Sequence, residues 1–290
     1  MRNASELGHV NDIRLVVVQQ LEQAAARVIA EQIAVIPRLR ELSNQALDAP
    51  AVGSRVDRLL SDELGERAVH IAFACIAGAL DHMSTMGRIV ESGDVPPYSL
   101  FSLARTAHES ALNAEWLMEP TLDEPEQIAR GVGAQYDDYS ERAKLETAFA
   151  ARATGDGQLA VVRRATYMSK AHPRGFANLN AKGELIPARP LLTAVDLFNR
   201  YEGRTVERPD GSTFEVPGSA IYRAYSAYAH GKQWANMLGD MTVVVETNEY
   251  GHGVASIVAS DSLLVPAFMG PIRAIDRALF GLGKHRESPV

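Results

Sequence analysis

Apolar positions recur every three or four residues along most of the chain, the period of helices with one buried face. Between 11 and 47, Ile13, Val16, Val17, Leu21, Ala24, Val28 and Ile29 keep this spacing with glutamines and charges between them. This predicts a long N-terminal helix, which Pro37 ends or kinks. Such an arm either lies along its own bundle or pairs with a second subunit, and a homo-oligomer joined through it is the expectation carried forward. After a loop at 48–54, a short helix is predicted at 55–64, and the segment 66–92 is apolar nearly all round, as expected of a central element. Gly93 to Pro97 breaks the chain, and the next helix runs over 98–118. Asp123-Glu-Pro125 opens another that reaches about 152, with acids in the first turn and proline near its start.

The second half is more broken. A short helix ends at 168, 171–189 is rich in Gly, Pro and Asn and reads as loop, and a helix follows at 190–201. Pro209-Asp-Gly-Ser between short extended pieces predicts a hairpin over 202–216. The β-branched runs at 241–246 and 254–259 predict a second, and 263–282 closes as an amphipathic helix. With no internal repeat or linker, the expected architecture is mainly α, a helical bundle with one or two small β-hairpin insertions, and 1–290 as a single helical domain.

Composition narrows the class. The 290 residues are 46% hydrophobic and 22% charged, ordinary for a globular chain long enough to bury a core. The net charge of −7 argues against a whole-surface grip on nucleic acid, while leaving room for a local basic patch. No apolar run approaches the roughly 20 residues of a membrane span, so no membrane partner is expected. Met1-Arg-Asn-Ala-Ser-Glu lacks the pattern of a secretion signal, and the single Cys75 excludes an internal disulfide and a cysteine-based zinc cluster. A cytoplasmic location is the expectation. Cys75 lies in the apolar run 70–80 and reads as a small buried hydrophobe rather than a nucleophile.

Candidate chemistry gathers in two stretches. In Ile221-Tyr-Arg-Ala-Tyr-Ser-Ala-Tyr-Ala-His230-Gly231, seven helical steps make almost two turns, so Arg223 and His230 share a face with Ser226 between them. An imidazole there can act as general acid or base near neutral pH, and Gly231 marks either a helix end or a close helix contact. In Ser102-Leu-Ala-Arg-Thr-Ala-His-Glu-Ser110, Arg105 and Glu109 are one turn apart, and either form an ion pair that fixes helix register or bind an anion and orient a histidine. Arg105, Glu109, Tyr225 and His230 read equally as a structural interhelical network.

These blocks carry a resemblance. Arg223 and His230, six residues between them, match the Arg-x4–6-His signature of the HEPN superfamily (higher eukaryotes and prokaryotes nucleotide-binding), a helical-bundle group with many metal-independent ribonucleases. Leu103-Ala-Arg-x3-Glu109 together with Tyr225-Ser-x3-His230-Gly231 is similar to a bacterial helical domain family of unknown function, over roughly 66–239. The resemblance implies that Arg223 holds a scissile phosphate, that His230 assists the ribose 2′-hydroxyl or protonates the leaving group, and that a dimer completes the site. It points to an endoribonuclease or a defence- or toxin-type effector, with Arg105 and Glu109 in the same site. One position departs: Ala224 follows the arginine where active members carry a polar residue.

RNA is the partner this implies. Arg163, Arg164, Lys170 and Arg174, with Lys182 and Arg189, stand against Glu184 alone in 161–190, and Tyr167, His172 and Phe176 are interspersed. Such a stretch can follow a phosphate backbone and stack bases, or can be solvated loop charge. Tyr225 and Ser226 complete the candidate binding residues. No cofactor or metal is expected: Walker, dinucleotide and Gly-x-Ser-x-Gly patterns are absent, and no predicted helix carries a Glu-x-x-His pair. Two further readings stay open: a non-catalytic helical binding or scaffold protein, and a small-molecule enzyme with a pocket in the bundle to which Gln135-Tyr-Asp-Asp-Tyr139 contributes polar contacts.

Overall fold

The computed structural model describes residues 23–46, 48–93, 96–150, 159–208, 211–238, 240–247, 253–258 and 261–287. The chain is mainly α. Nine α-helices are present among the described residues: α1 (Gln23–Gln45), α2 (Arg55–Ser61), α3 (Glu66–Glu91), α4 (Pro97–Met118), α5 (Glu124–Ala150), α6 (Leu159–Ala171), α7 (Ala194–Glu202), α8 (Ser219–Ala229) and α9 (Asp261–Glu287). Part of the predicted N-terminal helix, 11–22, lies outside the described residues. The remainder continues through Pro37, which is accommodated inside α1.

Helix α4 is the hub. Phe101, Ala104, Ala107, Ala111, Leu112 and Leu117 are fully buried along it, and it packs against α3, α9, α8 and α7. The expectation that 66–92 is the central element is adjusted by this: α3 buries Val69, Ile76, Met83 and Met86, while Ile71, Phe73 and Cys75 on its back are partly open. Desolvation pushes the Cys75 thiol up to about 11, which removes its thiolate at neutral pH. Helix α1 lays Ile29, Ile36 and Leu39 on α3 and α9 of the same chain. Helix α9 supplies Leu264, Phe268, Ile275 and Leu282 at three- and four-residue spacing.

Local chemistry explains the boundaries. Asp123 accepts from the Glu126 amide at 2.8 Å to start α5. Thr193 and Asp196 form a reciprocal capping box that starts α7 later than the predicted 190. Three two-stranded antiparallel sheets are present among the described residues. β3 (Arg204–Glu207) with β4 (Thr213–Val216) and β5 (Asp240–Thr247) with β6 (Gly253–Val258) fall at the predicted hairpins. β1 (Ala177–Leu179) with β2 (Leu185–Pro187) lies in the stretch that reads as loop. Its turn is closed by Asn180, whose side chain accepts from the amides of Lys182 and Glu184. No helix among the described residues is long and apolar enough to cross a membrane.

Candidate functional site

The β3–β4 hairpin returns the chain so that α8 docks beside α7 and on α4. Asn199 on α7 accepts from the Ser219 amide at 2.9 Å and fixes the start of α8. The helix ends in a Schellman motif: the Gly231 amide donates to Tyr228 and the Lys232 amide to Ala227 at 2.8 Å, with Gly231 at φ +60°, a conformation glycine adopts without penalty. Gly231 is therefore a helix end. Between these anchors, the Phe101 ring of α4 stacks on Tyr228 at 4.5 Å and on Tyr225 at 6.0 Å. Arg105, one turn along α4 from Phe101, is thereby carried to the flank of α8.

There the guanidinium meets three partners. Nε donates to Glu109 Oε1 at 2.6 Å, one Nη donates to the Tyr222 hydroxyl at 2.9 Å, and the other lies 3.3 Å from His230 Nε2. A guanidinium has no acceptor, so a hydrogen bond across this contact requires the His230 tautomer with a bare Nε2. Burial opposes the charge on Arg105, but the bond to Glu109 and the nearness of Tyr222 hold its pKa above the ordinary value. The Arg105 and Glu109 side chains are 23% and 27% exposed, and His230 is exposed. Arg105, Glu109 and His230 thus converge where water reaches them.

The other candidates take different places. Arg223 is exposed and enters no ion pair among the described residues; seven residues before His230, it stands about 10 Å away along the axis. Ser226 is half-buried. The phenol that reaches Arg105 belongs to Tyr222, because Tyr225, three residues on, is buried beside Phe101 and His108 with its hydroxyl unpartnered among the described residues. In the basic stretch, Lys170 pairs with Glu63 at 2.7 Å, Arg174 grips Asp62 bidentately at 2.6 and 3.0 Å, and Arg189 pairs with Glu126 at 2.8 Å. Arg164 donates to Ser140 and covers the Tyr136 ring, whereas Arg163 is exposed. Acids on α5 and on the turn that enters α3 hold three of these cations, Lys170, Arg174 and Arg189, to the fold.

A second polar group lies behind α8, and sequence reasoning passed over most of it. Arg277 of α9 donates to Glu115 at 2.7 and 2.9 Å and to Glu202 at 3.0 Å, and Arg273 stands 3.6 Å from Glu202. His108 is fully buried; its Nε2 is 3.3 Å from Glu202 Oε1 without hydrogen-bond alignment, and its Nδ1 has no partner among the described residues. Burial, with Arg277 and Arg273 adding, holds His108 below the usual imidazole range. Burial works against the charge of Glu202, but His108 and Arg277 hold its pKa below the carboxylate norm; Arg277, which is always charged, is the cause that stands. Burial raises Glu115 despite Arg277. A signal for this group exists: His108 and Glu115 fall on the apolar stripe Phe101, Ala104, Ala111 at helical spacing, where a polar side chain must find a buried partner.

No group of three or more His, Cys, Asp or Glu among the described residues is placed to hold a metal ion. No family model, curated protein or solved structure matches the chain.

Proposed function

We propose that this chain is a HEPN-like helical protein that cleaves RNA without a metal, with Arg105, Glu109, Tyr222 and His230 as its reaction site. One observation carries the reading: two helices bring a guanidinium to 3.3 Å from an imidazole at a surface water reaches, and Glu109 fixes the guanidinium. Two of the five N–H donors of Arg105 point to no other group in this cluster and are available to a phosphate. His230 Nε2 takes the proton of a ribose 2′-hydroxyl as the phosphate displaces it from the guanidinium. The 2′-oxygen then bonds to phosphorus, the bond to the 5′-oxygen breaks, and that oxygen leaves with a proton from water. The products are a 2′,3′-cyclic phosphate and a 5′-hydroxyl. Arg223, about 10 Å back along α8 and exposed, holds a flanking phosphate.

The test is cleavage of single-stranded RNA in EDTA by the purified chain, with end-group analysis. Wild type is expected to yield cyclic phosphate ends, and His230→Ala and Arg105→Ala to lose at least a hundredfold in rate, within the usual range for a positioned acid–base group. Equal rates in wild type and His230→Ala would overturn the assignment.

A second reading has its own observation. Three of the five donors of Arg105 face side chains of this same protein, as expected of a lock that sets α8 on α4 in a non-catalytic binding protein. Absence of RNA cleavage together with a lower melting temperature for Arg105→Ala selects it.

A further inference from the structure

The side of α8 opposite Arg105 faces an open cavity of about 560 Å³ lined by α4, α7, α8, α9 and the start of β3, within the roughly 300–1,000 Å³ of small-molecule sites. One wall is apolar: Ile221 and Ala224 on α8, Leu263, Val265 and Met269 on α9. The other is basic, with Arg204, Arg273 and Arg277 against Glu202. Arg277 is committed to Glu115 and Glu202, but the Arg273 side chain is 52% exposed and its contact with Glu202 is long, at 3.6 Å. Arg204 is exposed at the start of β3. Two guanidiniums at the rim are therefore open to a ligand.

The floor holds buried polar atoms that lack protein partners. His108 is 0% exposed and Tyr225 1%; both line the cavity, and neither the His108 ring nitrogens nor the Tyr225 hydroxyl makes a hydrogen bond among the described residues. Such atoms are costly unless something meets them. Gly270 lets the backbone of α9 close directly on the His108 ring, since a Cβ there would lie 2.4 Å from its Cε1. A groove of about 770 Å³ between α1 and α9 is larger, but its two arginines are spent: Arg277 on Glu115 and Glu202, and Arg286 on the carbonyls of Gln45 and Asp48. The smaller cavity combines an apolar wall, unmatched buried donors and acceptors, and surplus positive charge.

We propose that this cavity binds a small organic anion, an apolar body with a single carboxylate or phosphate head that pairs with Arg273 and Arg204 while the body lies along α8 and α9. A cation would meet three guanidiniums against one carboxylate, and a neutral apolar molecule would leave the rim unused. This site is independent of the Arg105 cluster and of any action on RNA.

Calorimetric titration of the full chain with octanoate, octyl phosphate and octanol tests it. Both anions are expected to bind at one site per chain, with octanol at least tenfold weaker; whichever anion binds more tightly assigns the head group. Arg273→Gln, a change at a half-exposed position, is expected to weaken both anions at least tenfold and to leave octanol unchanged. Leu263→Trp, which fills the cavity, is expected to abolish binding of all three while the variant still melts cooperatively. Octanol binding as tightly as octanoate, anion affinity unmoved by Arg273→Gln, or no anion binding at millimolar concentration overturns the proposal.

Discussion

Helix α8 separates two polar groups built from the same residue types, and their surroundings make them physically unlike. On its outer flank, Arg105, Glu109, Tyr222 and His230 are partly wet and mutually satisfied. Behind it, Glu202, Glu115 and His108 are buried, and Arg277 must serve two carboxylates. Water can replace a bond lost from the first group; in the second, loss of Arg277 leaves Glu115 and Glu202, 9% and 5% exposed, as uncompensated buried charges. Composition alone therefore says little about what such a cluster is worth, and burial decides it.

The largest expected effect follows directly. Arg277→Ala strips the buried carboxylates of Glu115 and Glu202 of the cation they share. A loss of about 3 kcal/mol in stability is expected, the lower end for breaking a buried pair because Arg273 remains 3.6 Å from Glu202. Chemical denaturation measures it; a loss below about 1 kcal/mol would place this group in the same wet class as the Arg105 cluster. Next comes Gly270→Ala, whose added methyl collides with the buried His108 ring. Overpacking of this kind costs about 2 kcal/mol. A melting temperature equal to wild type would mean that the ring moves freely.

Acid provides a third discriminator, since His108 is held below the usual imidazole range by burial and by Arg277 and Arg273, with Glu202 opposing. A base whose folded pKa is depressed binds fewer protons than the unfolded chain below about pH 6.5. Its stabilising effect is thus complete above that pH and is lost as pH falls toward the folded value, at no more than about 1.4 kcal/mol per pH unit. His285, lowered by burial and Arg55, acts in the same direction. Stability curves from pH 8 to 5.5 should slope downward below about 6.5, and His108→Asn should flatten part of that slope. An unchanged slope would remove His108 as a source.

Periodicity made most of the helices legible. α3 and α4 begin and end within a residue of the pattern-based limits, since apolar spacing, proline breaks and acid-rich starts are local signals. The start of α7 was misplaced because the Thr193–Asp196 capping box, visible in the sequence, outweighs the apolar residues before it. The β1–β2 hairpin was missed because strands of three residues carry too little alternation to register. Arg105 with Glu109 was legible as an i, i+4 pair, but the choice of Tyr222 over Tyr225 depends on which way α8 rolls against Phe101. Glu202 was invisible: it lies at the end of α7, 94 residues from His108, and tertiary packing alone joins them.

The smallest stability effect is also the sharpest contrast between the two groups. Glu109→Ala removes one partner of Arg105 at a site where both side chains are about a quarter exposed. Tyr222 and His230 still engage the guanidinium, and water replaces the carboxylate, so a loss of about 0.5 kcal/mol is expected in denaturant unfolding. Under the ribonuclease reading the same change frees Arg105 to swing from the phosphate position, so the rate of RNA cleavage in EDTA should fall far more than stability does. Glu109→Gln keeps an acceptor for Nε and should recover part of that rate. A fall of 2 kcal/mol or more for Glu109→Ala, the scale of a buried polar group left unpaired, with no change in cleavage would make the outer cluster a structural lock like the group behind α8.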